Sequence, residues 1–515
     1  MNINQRKIGS MLSYAQIGIS ILLSILYTPL LIRLLGSSEH GLYNTVASTI
    51  SMMSILSLGF GSGYIRYYSK YKKQNDEDSI YKLNGLFLTI FSVIGIVALL
   101  CGLFLSFNLK LVFDSGLTRA EYSIARTLML ILTVNLAISF PMSVFGNIIS
   151  AHEKFVWQKL IGIGKTVFGP LSNMVLLLLG YRSVAIVTAS VIISLIVDVI
   201  YLFIVLKLLG QKFRFGIPEK GMFAGLVSYT VFIALNIVVD QINSNVDKVL
   251  IARYKGATAV SVYSVGYSLS HYYHLFSTSV SGVFFPLIHK MVNNFRDDTA
   301  KLREALTNLF VRVGRIQFQI LALLCTGVIF FGKPFIHYWA GSGYDDSYYI
   351  ALILIIPYTV PYIQNLGVEI QRAENNHRFR SIIYTVMAVI NFALSIYLCQ
   401  LYGAIGSAIG TGISIVIANG IIMNIFYHKK CYIDIILFWK NILRISLGLI
   451  LPCAFGIILN LTLDLYNIVL LFVGIAAYTA VYALSMWFFA MNDYEKDLIR
   501  RPLKKILSLF RRRHS

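Results

Sequence analysis

Charged residues are scarce in this chain. Asp, Glu, Lys and Arg make up only 13% of its 515 residues, whereas about 25% is usual in soluble domains. Hydrophobic residues make up 57%, and the mean hydropathy is +0.72. Long apolar runs fill nearly the whole length. The composition therefore excludes an ordinary soluble protein and predicts an all-α integral membrane protein.

The chain has few cysteines, and their spacing is not that of metal ligands. The chain has five, an odd number, and it contains no CxxC motif. Four of them lie inside apolar runs, and Cys431 follows two lysines in a segment that we predict to be a cytoplasmic loop. This pattern supports neither a disulfide framework nor a zinc site, so we expect no metal centre.

Motifs for nucleotide chemistry are incomplete. The segment from Gly162 to Thr166 resembles the end of a Walker A loop, but Lys159 stands where the first glycine is required and no strand precedes it. The DxD pattern at Asp76 and Asp78 lies in a short loop with no nucleotide-sugar domain around it. We therefore expect no catalytic residues and no cofactor, and we interpret the chain as a protein other than an enzyme.

Fourteen apolar runs are long enough to cross about 30 Å of hydrocarbon. The first run lacks an obvious small-x-small cleavage site, so we predict a retained helix and not a signal peptide. An even number of spans places both termini on the same side. The predicted spans are 11–33, 40–64, 83–107, 124–150, 160–180, 184–206, 222–252, 258–288, 309–331, 347–370, 381–400, 404–427, 435–460 and 464–491.

The basic residues are distributed asymmetrically between the loops. With the N-terminus in the cytoplasm, 34 of the 44 Lys and Arg fall on the cytoplasmic side and nine on the outer side. The positive-inside rule therefore places both termini in the cytoplasm. The same rule accounts for the net charge of +21, so we expect no nucleic-acid binding. In the C-terminal segment 492–515, basic residues alternate with apolar residues. This pattern is typical either of an interfacial helix on anionic membrane lipids or of a solvated tail.

An internal repeat divides the chain. Segments 30–48 and 250–268 match at an offset of 220, and five positions are identical. Six spans in each half make the halves parallel, which implies a pseudo-twofold axis along the membrane normal and a site between the halves. The predicted domains are an N-terminal six-helix lobe (1–206), a cytoplasmic linker (207–221), a C-terminal six-helix lobe (222–427), two additional transmembrane helices (428–491) and a basic cytoplasmic tail (492–515).

The seventh predicted span carries an unusual number of polar residues. On a helical wheel, Asn236, Asp240, Asn243 and Asp247 fall within an arc of about 60°, and Lys248 lies in a second polar arc beside it. A carboxylate at the bilayer centre costs roughly 2.5–3.5 kcal/mol on insertion scales, so two on one face need a reason. They either line a hydrated path or form a hydrogen-bonded brace, and both roles can hold together.

The eighth span adds aromatic and imidazole side chains at helical spacing, Tyr267, His271 and His274. A tyrosine ring stacks on the apolar face of a sugar while its hydroxyl bonds to the polar edge. Histidines titrate near neutral pH. These residues are therefore candidates for a sugar-accommodating path, and hydrogen bonding between helices is the alternative for each of them.

The first half offers a polar but mostly uncharged face. Gln16 and Asn44 occupy the repeat positions that match Asn236 and Ser264. Lys165 lies within the fifth span, and together with Lys248 it is a candidate to offset the negative charge of a diphosphate-linked substrate.

Two sets of motifs resemble the polysaccharide-biosynthesis flippases, also called Wzx-type proteins. The first set is Leu35-Gly36-x4-Gly41-x-Tyr43 with the later Leu58-Gly59, and the second is Asp247-Lys248-x-Leu250-Ile251 with Gly256 and Tyr263-Ser264. The sequence departs from the repeat at Ser261, where a second copy of Gly41 is expected. The superfamily of these proteins also includes multidrug extruders and peptidoglycan-precursor flippases. The resemblance implies that the peptidoglycan branch has a cavity rich in arginine on its early spans, whereas this chain has no cation between Met11 and Ile32 or between Gly41 and Ile65, which disfavours that branch.

The resemblance implies a protein of the bacterial cytoplasmic membrane that moves undecaprenyl-diphosphate-linked oligosaccharide outward by alternating access. Polymerases and glycosyltransferases of surface polysaccharide synthesis are then the expected partners. A cation-coupled extruder of small molecules on the same fold is the first alternative, with H⁺ or Na⁺ bound at Asp240 and Asp247. A membrane enzyme such as a sugar polymerase is the second alternative, although the short outer loops argue against it.

Overall fold

The regular structure of the described part of the chain is entirely helical. The computed structural model describes residues 3–114, 117–216, 221–295, 298–374 and 377–501. Residues 217–220 of the predicted linker and residues 502–515 of the predicted basic tail lie outside this part. The all-α fold that the composition predicts is confirmed.

Nineteen α-helices occur in the described residues, and several are joined directly by a short 3₁₀ or π turn. They are α1 (Ile3–Leu35), α2 (Ser37–Met52), α3 (Phe60–Lys73), α4 (Glu77–Phe107), α5 (Arg119–Ala151), α6 (Phe155–Leu178), α7 (Ser183–Phe203), α8 (Met222–Gln241), α9 (Asp247–Lys255), α10 (Ala257–Ser281), α11 (Phe285–Asn294), α12 (Thr299–Ala340), α13 (Asp345–Ile363), α14 (Leu366–Ala373), α15 (His377–Ile415), α16 (Met423–Lys430), α17 (Ile435–Ser446), α18 (Ile450–Thr462) and α19 (Ile468–Ser485).

Thirteen helical stretches in the described residues are long and apolar enough to cross a membrane. One of them, Arg378–Lys430, has 53 residues, which is more than twice the number that a span requires. It breaks at Gly403, where φ is 64° and ψ is −138°, a conformation that side chains other than glycine rarely adopt. The predicted spans 381–400 and 404–427 lie on either side of this break. The count of fourteen and the lobe boundaries remain predictions.

The first compact unit contains Met1–Gly266 and Ser381–Ser414. Small residues let its helices approach closely, as is usual in membranes. On α4, a Cβ at Gly95 would lie 2.5 Å from the carbonyl oxygen of Ala137 on α5, and a Cβ at Gly102 would lie 2.3 Å from the Thr133 side chain. The α4–α5 pair therefore depends on glycine at these positions.

The second compact unit contains Tyr267–Arg380 and Ile415–Ser515. The long α12 packs against α13, α17 and α19. A buried ion pair fixes one end of this packing, because Arg315 Nε lies 2.6 Å from a carboxylate oxygen of Glu495 and both side chains are less than 10% exposed. Removing one partner of such a pair would leave an uncompensated buried charge.

Two helical stretches of the first unit are interrupted near the middle. A 3₁₀ turn at Met53–Ser57 separates α2 from α3, and the next two residues, Leu58 and Gly59, have φ values of 47° and 70°. A π turn at Ile242–Val246 separates α8 from α9. Interruptions of this kind often occur at functional sites.

Cys431 follows α16 and is fully buried. Burial, with a smaller contribution from the Glu374 carboxylate, raises the pKa of the Cys431 thiol to about 12. Since the thiolate is the reactive form, we expect Cys431 to resist a water-soluble maleimide at pH 7.5 in membranes and to react after denaturation.

The matched control is a variant without native cysteines that carries Tyr432→Cys, at the adjacent position that is 42% exposed. This variant should be labelled quickly without denaturation. Equal labelling rates for Cys431 and Tyr432→Cys in membranes would contradict the buried position of Cys431.

Candidate functional site

The π turn changes which side chains of the seventh predicted span share a face. A π turn contains one residue more than an α turn, so residues after Ile242–Val246 rotate relative to those before it. Asp240, before the turn, is exposed, whereas Asp247, after it, is only 3% exposed. The helical wheel placed both acids on one face because it assumed a continuous α-helix.

Asp247 is the centre of a hydrogen-bonded cluster in the first unit. Tyr263 Oη donates to its Oδ2 at 2.7 Å, and Thr411 Oγ1 donates to the same oxygen at 2.8 Å. Ser407 Oγ donates to Oδ1 at 2.8 Å. Hydrogen bonds to an ionised group are stronger than those between neutral groups, so three hydroxyl groups stabilise this buried carboxylate.

Amide and hydroxyl oxygens extend the cluster. Asn391 Oδ1 lies 3.2 Å from both Thr411 Oγ1 and Ser395 Oγ. Asn391 Nδ2 donates to Asn243 Oδ1 at 3.3 Å. The result is a group of oxygen atoms from α9, α10, α15 and the π turn around a single carboxylate. Oxygen ligands of this kind suit hard cations.

The partners of Asp247 are not among the site residues predicted from the sequence. Ser407 and Thr411 lie 160 and 164 positions away from it, and nothing local links them. A weak signal did exist, because Asn391 and Ser395, like Ser407 and Thr411, are spaced four residues apart and so share a helix face. A second, weaker internal match, at an offset of 223, also pairs Thr411 with Thr188.

Asn44 lies at a second polar contact of the first unit, on α2. Its Nδ2 lies 3.0 Å from Nε2 of His40, while Nδ1 of His40 lies 2.7 Å from Oγ of Ser261 on α10. At Gly41 a Cβ would lie 1.8 Å from the carbonyl oxygen of Ala257. Gly41 allows a close contact with the backbone of α10, whereas Ser261 contacts His40 through its hydroxyl group. This difference explains why the repeat is broken there. His40 was missed because it has no equivalent in the second half.

Three of the remaining candidates of the first unit have hydrogen-bond partners other than the residues around Asp247, and Lys248 is adjacent to Asp247 in the chain. Asn236 Nδ2 donates to Ser381 Oγ at 3.1 Å. Gln16 Nε2 donates to Thr166 Oγ1 at 3.1 Å. Lys165 Nζ donates to Ser194 Oγ at 3.0 Å. Lys248 is partly buried and interacts electrostatically with the neighbouring Asp247.

The second unit brings the predicted aromatic residues of α10 together with two tyrosines of α13. The rings of Tyr267 and His271 are stacked with centroids 6.5 Å apart, and His274 lies 6.5 Å from His271. The His274 ring lies 4.9 Å from that of Tyr362, which stacks on Tyr358 at 5.1 Å and 13°. We call these five residues the ring row.

Tyr358 and Tyr362 were missed in the sequence. They lie in the tenth predicted span, beside Pro357 and Pro361. Their spacing of four residues is the signal that was available. His271 is exposed and the other four rings are partly exposed, so the ring row presents an accessible aromatic surface within its unit.

Comparison with known sequences identifies a protein family whose model matches this chain. The sequence model of the family described as "Polysaccharide biosynthesis protein" matches residues 8–292. A Shigella flexneri protein assigned as an O-antigen transporter is 20% identical over 443 residues, and the match covers 84% of this chain and 99% of that protein.

Comparison with solved structures gives the fold. The lipid II flippase MurJ in an inward closed conformation matches with a TM-score of 0.68 and 18% identity, over 93% of this chain and 98% of MurJ. An inward-facing multidrug resistance MATE family transporter of the MOP superfamily matches with a TM-score of 0.61 and 13% identity, over 82% of this chain and 96% of that one. The family match covers more than half of the chain, so this protein belongs to the polysaccharide biosynthesis protein family.

Proposed function

We propose that this protein is a flippase that carries undecaprenyl-diphosphate-linked oligosaccharide repeat units from the cytoplasmic to the outer leaflet by alternating access. The ring row is the observation that carries this proposal, because it offers a surface suited to sugar rings within a fold shared with transporters. The family match supports a role in polysaccharide synthesis.

The chemistry of the ring row favours a glycan. Aromatic faces bind the apolar faces of sugars, and tyrosine hydroxyls and imidazole nitrogens form hydrogen bonds with sugar hydroxyl groups. Rings spaced 4.9–6.5 Å apart along α10 and α13 offer successive stacking positions. A polar chain of sugars could therefore exchange contacts with water for contacts with these side chains as it crosses the membrane.

The cations within predicted spans favour a negatively charged lipid carrier. Lys165 and Lys248 are ammonium groups that can offset the charge of a diphosphate. Placing a lysine in a span costs roughly 2.5–3.5 kcal/mol on insertion scales, so such residues usually have a function. Both lysines fit a substrate that carries an anionic group into the membrane.

The Asp247 cluster is the proposed site for a coupling ion. A buried carboxylate surrounded by hydroxyl and amide oxygens can accept H⁺ or bind Na⁺. The same cluster supports the alternative function, a cation-coupled multidrug or toxin extruder. The two functions differ in their cargo, since an extruder would protect cells from toxic compounds and would leave surface polysaccharide unchanged.

The proposed setting is the bacterial cytoplasmic membrane, with both termini in the cytoplasm and no enzymatic step. Glycosyltransferases would supply the lipid-linked repeat units on the inner leaflet, and a polymerase would consume them on the outer leaflet. Deletion of the gene for this protein should therefore cause lipid-linked repeat units to accumulate on the cytoplasmic leaflet.

Replacing the central carboxylate should impair export. Asp247→Asn keeps the side-chain shape but removes the charge to which three hydroxyl groups donate. Losing one charge-assisted interaction worth roughly 1.5 kcal/mol corresponds to about a tenfold decrease in rate. We expect a decrease of about this size in surface polysaccharide, with a near-normal amount of protein in the membrane.

The control for that experiment is Glu495→Gln, which disrupts the buried Arg315–Glu495 ion pair far along the chain. It should lower the thermal stability of the purified protein and affect export only in proportion to the amount of protein. If Asp247→Asn behaves in the same way, the carboxylate is a structural brace and not an ion site.

Removing one ring from the ring row should reduce export selectively. Tyr362→Leu deletes the ring that stacks on Tyr358 and lies 4.9 Å from the His274 ring. It should lower the rate of flipping in vesicles by several-fold, since a ring contact contributes roughly 0.5–1.5 kcal/mol. Tyr362→Phe keeps the ring and should retain most of the activity.

Phe379→Leu is the matched control for the ring row, because Phe379 stacks on Phe426 at 4.2 Å and lies outside α10 and α13. This variant should flip lipid-linked saccharide at the wild-type rate. Equal activities for Tyr362→Leu and Phe379→Leu would remove the ring row from the transport path.

The proposed orientation can be tested by accessibility of single cysteines in intact cells. Gln74, between α3 and α4, and Ser342, between α12 and α13, are both exposed. In a variant without native cysteines, an impermeant maleimide should label Ser342→Cys directly and Gln74→Cys only after permeabilisation. The opposite result would invert the topology and the proposed direction of transport.

A further inference from the structure

An apolar groove runs along the surface of α6 and α7 in the first unit. It has a volume of about 640 Å³, which lies within the usual range for small-molecule sites, roughly 300–1,000 Å³. Nearly all of its lining is aliphatic or aromatic. The lining residues are Ile161, Gly164, Lys165, Phe168, Leu171, Ser172, Val175, Ile193, Ile196, Val197 and Ile200.

Lys165 is the charged residue of this lining. Its ammonium donates to Oγ of Ser194 on α7 at 3.0 Å, so the cation is held beside the groove. Asp198 lies one turn further along α7 and interacts electrostatically with Lys165. This carboxylate can balance the ammonium charge while no other anion is present.

The depth of Lys165 restricts which lipid can use it. The Lys165 ammonium bonds to Ser194, which lies ten residues into the predicted span 184–206. Ten residues correspond to about 15 Å of helix and to about half of the 30 Å hydrocarbon thickness. The phosphate of an ordinary phospholipid stays at the interface, about 15 Å away from this depth. Only a lipid whose anionic headgroup crosses the membrane brings its phosphates to Lys165.

We propose that this groove holds the polyprenyl chain of the lipid-linked substrate while its diphosphate passes Lys165. The inference rests on the proposed flippase function and adds to it the place of the hydrocarbon chain. The branched apolar lining takes the chain, and the ammonium stabilises the diphosphate at mid-depth, where it is least favourable. Lys165 then exchanges its interaction with Asp198 for one with the substrate.

The chain offers a matched pair of glycines for the test. Neither Gly164 nor Gly169 has another atom within 4 Å of where a Cβ would lie, so both tolerate a larger side chain on α6. Gly164 lines the groove and Gly169 does not. Gly164→Leu therefore fills the groove, and Gly169→Leu makes the same chemical change on another face of the same helix.

The experiment uses the purified full chain in phospholipid vesicles and a photoreactive polyprenyl diphosphate probe. We expect the probe to label α6 and α7 in the wild type and in Gly169→Leu, and to lose most of this label in Gly164→Leu. Unlabelled polyprenyl diphosphate should compete for the site, whereas an excess of phosphatidylglycerol should not. In cells, Gly164→Leu should reduce surface polysaccharide and Gly169→Leu should not.

Two outcomes would overturn the groove proposal. Undiminished labelling of Gly164→Leu would place the probe elsewhere, and equal competition by phosphatidylglycerol would show that bulk phospholipid fills the groove. Neither outcome affects the proposed function, because flipping of lipid-linked saccharide by the wild type is measured separately. If the wild type flips no such lipid while the groove still binds the probe, the proposed function fails instead.

Discussion

Hydrocarbon cannot solvate a polar side chain, and this constraint governs the arrangement of the helices. Each buried acid of the described residues has therefore acquired specific partners. Glu39 bonds to Arg182 and to the backbone and hydroxyl of Ser183, and Glu495 forms an ion pair with Arg315. Asp247 instead accepts hydrogen bonds from three hydroxyl groups. Hydroxyl groups can rotate and exchange partners, so this carboxylate suits reversible ion binding better than a paired one.

The same constraint explains how much of the fold the sequence predicted. Because a membrane span must be long and apolar, composition and run length alone indicated an all-α membrane protein, and the structure and the family match confirm this. Helix breaks differed in how well the sequence indicated them. Gly403 divides a 53-residue stretch, and the predicted apolar runs already lay on either side of it. The π turn at Ile242–Val246 left no comparable mark, since hydropathy does not depend on whether a turn has four residues or five.

The candidate site was predicted only in part, for a related reason. The sequence selected Asp247 and His274 because rare residue types in apolar spans attract attention. It did not select Ser407 or Tyr362, because their residue types are common in any span and their contacts with Asp247 and His274 join positions distant in the chain. Local spacing indicates which residues share a helix face. Which faces meet depends on packing. Asp240 is exposed and Asp247 is buried, with a π turn between them.

The polar groups differ in chemistry as well as in position, and this difference fits a composite cargo. A lipid-linked oligosaccharide has a sugar chain, a diphosphate and a hydrocarbon tail, and no single environment suits all three. The ring row offers aromatic faces, Lys165 offers an ammonium held by Ser194, and the groove beside it offers branched aliphatic side chains. A small cationic drug would need neither the lysine nor the groove. The chemical difference between these environments therefore fits the amphipathic substrate that we propose.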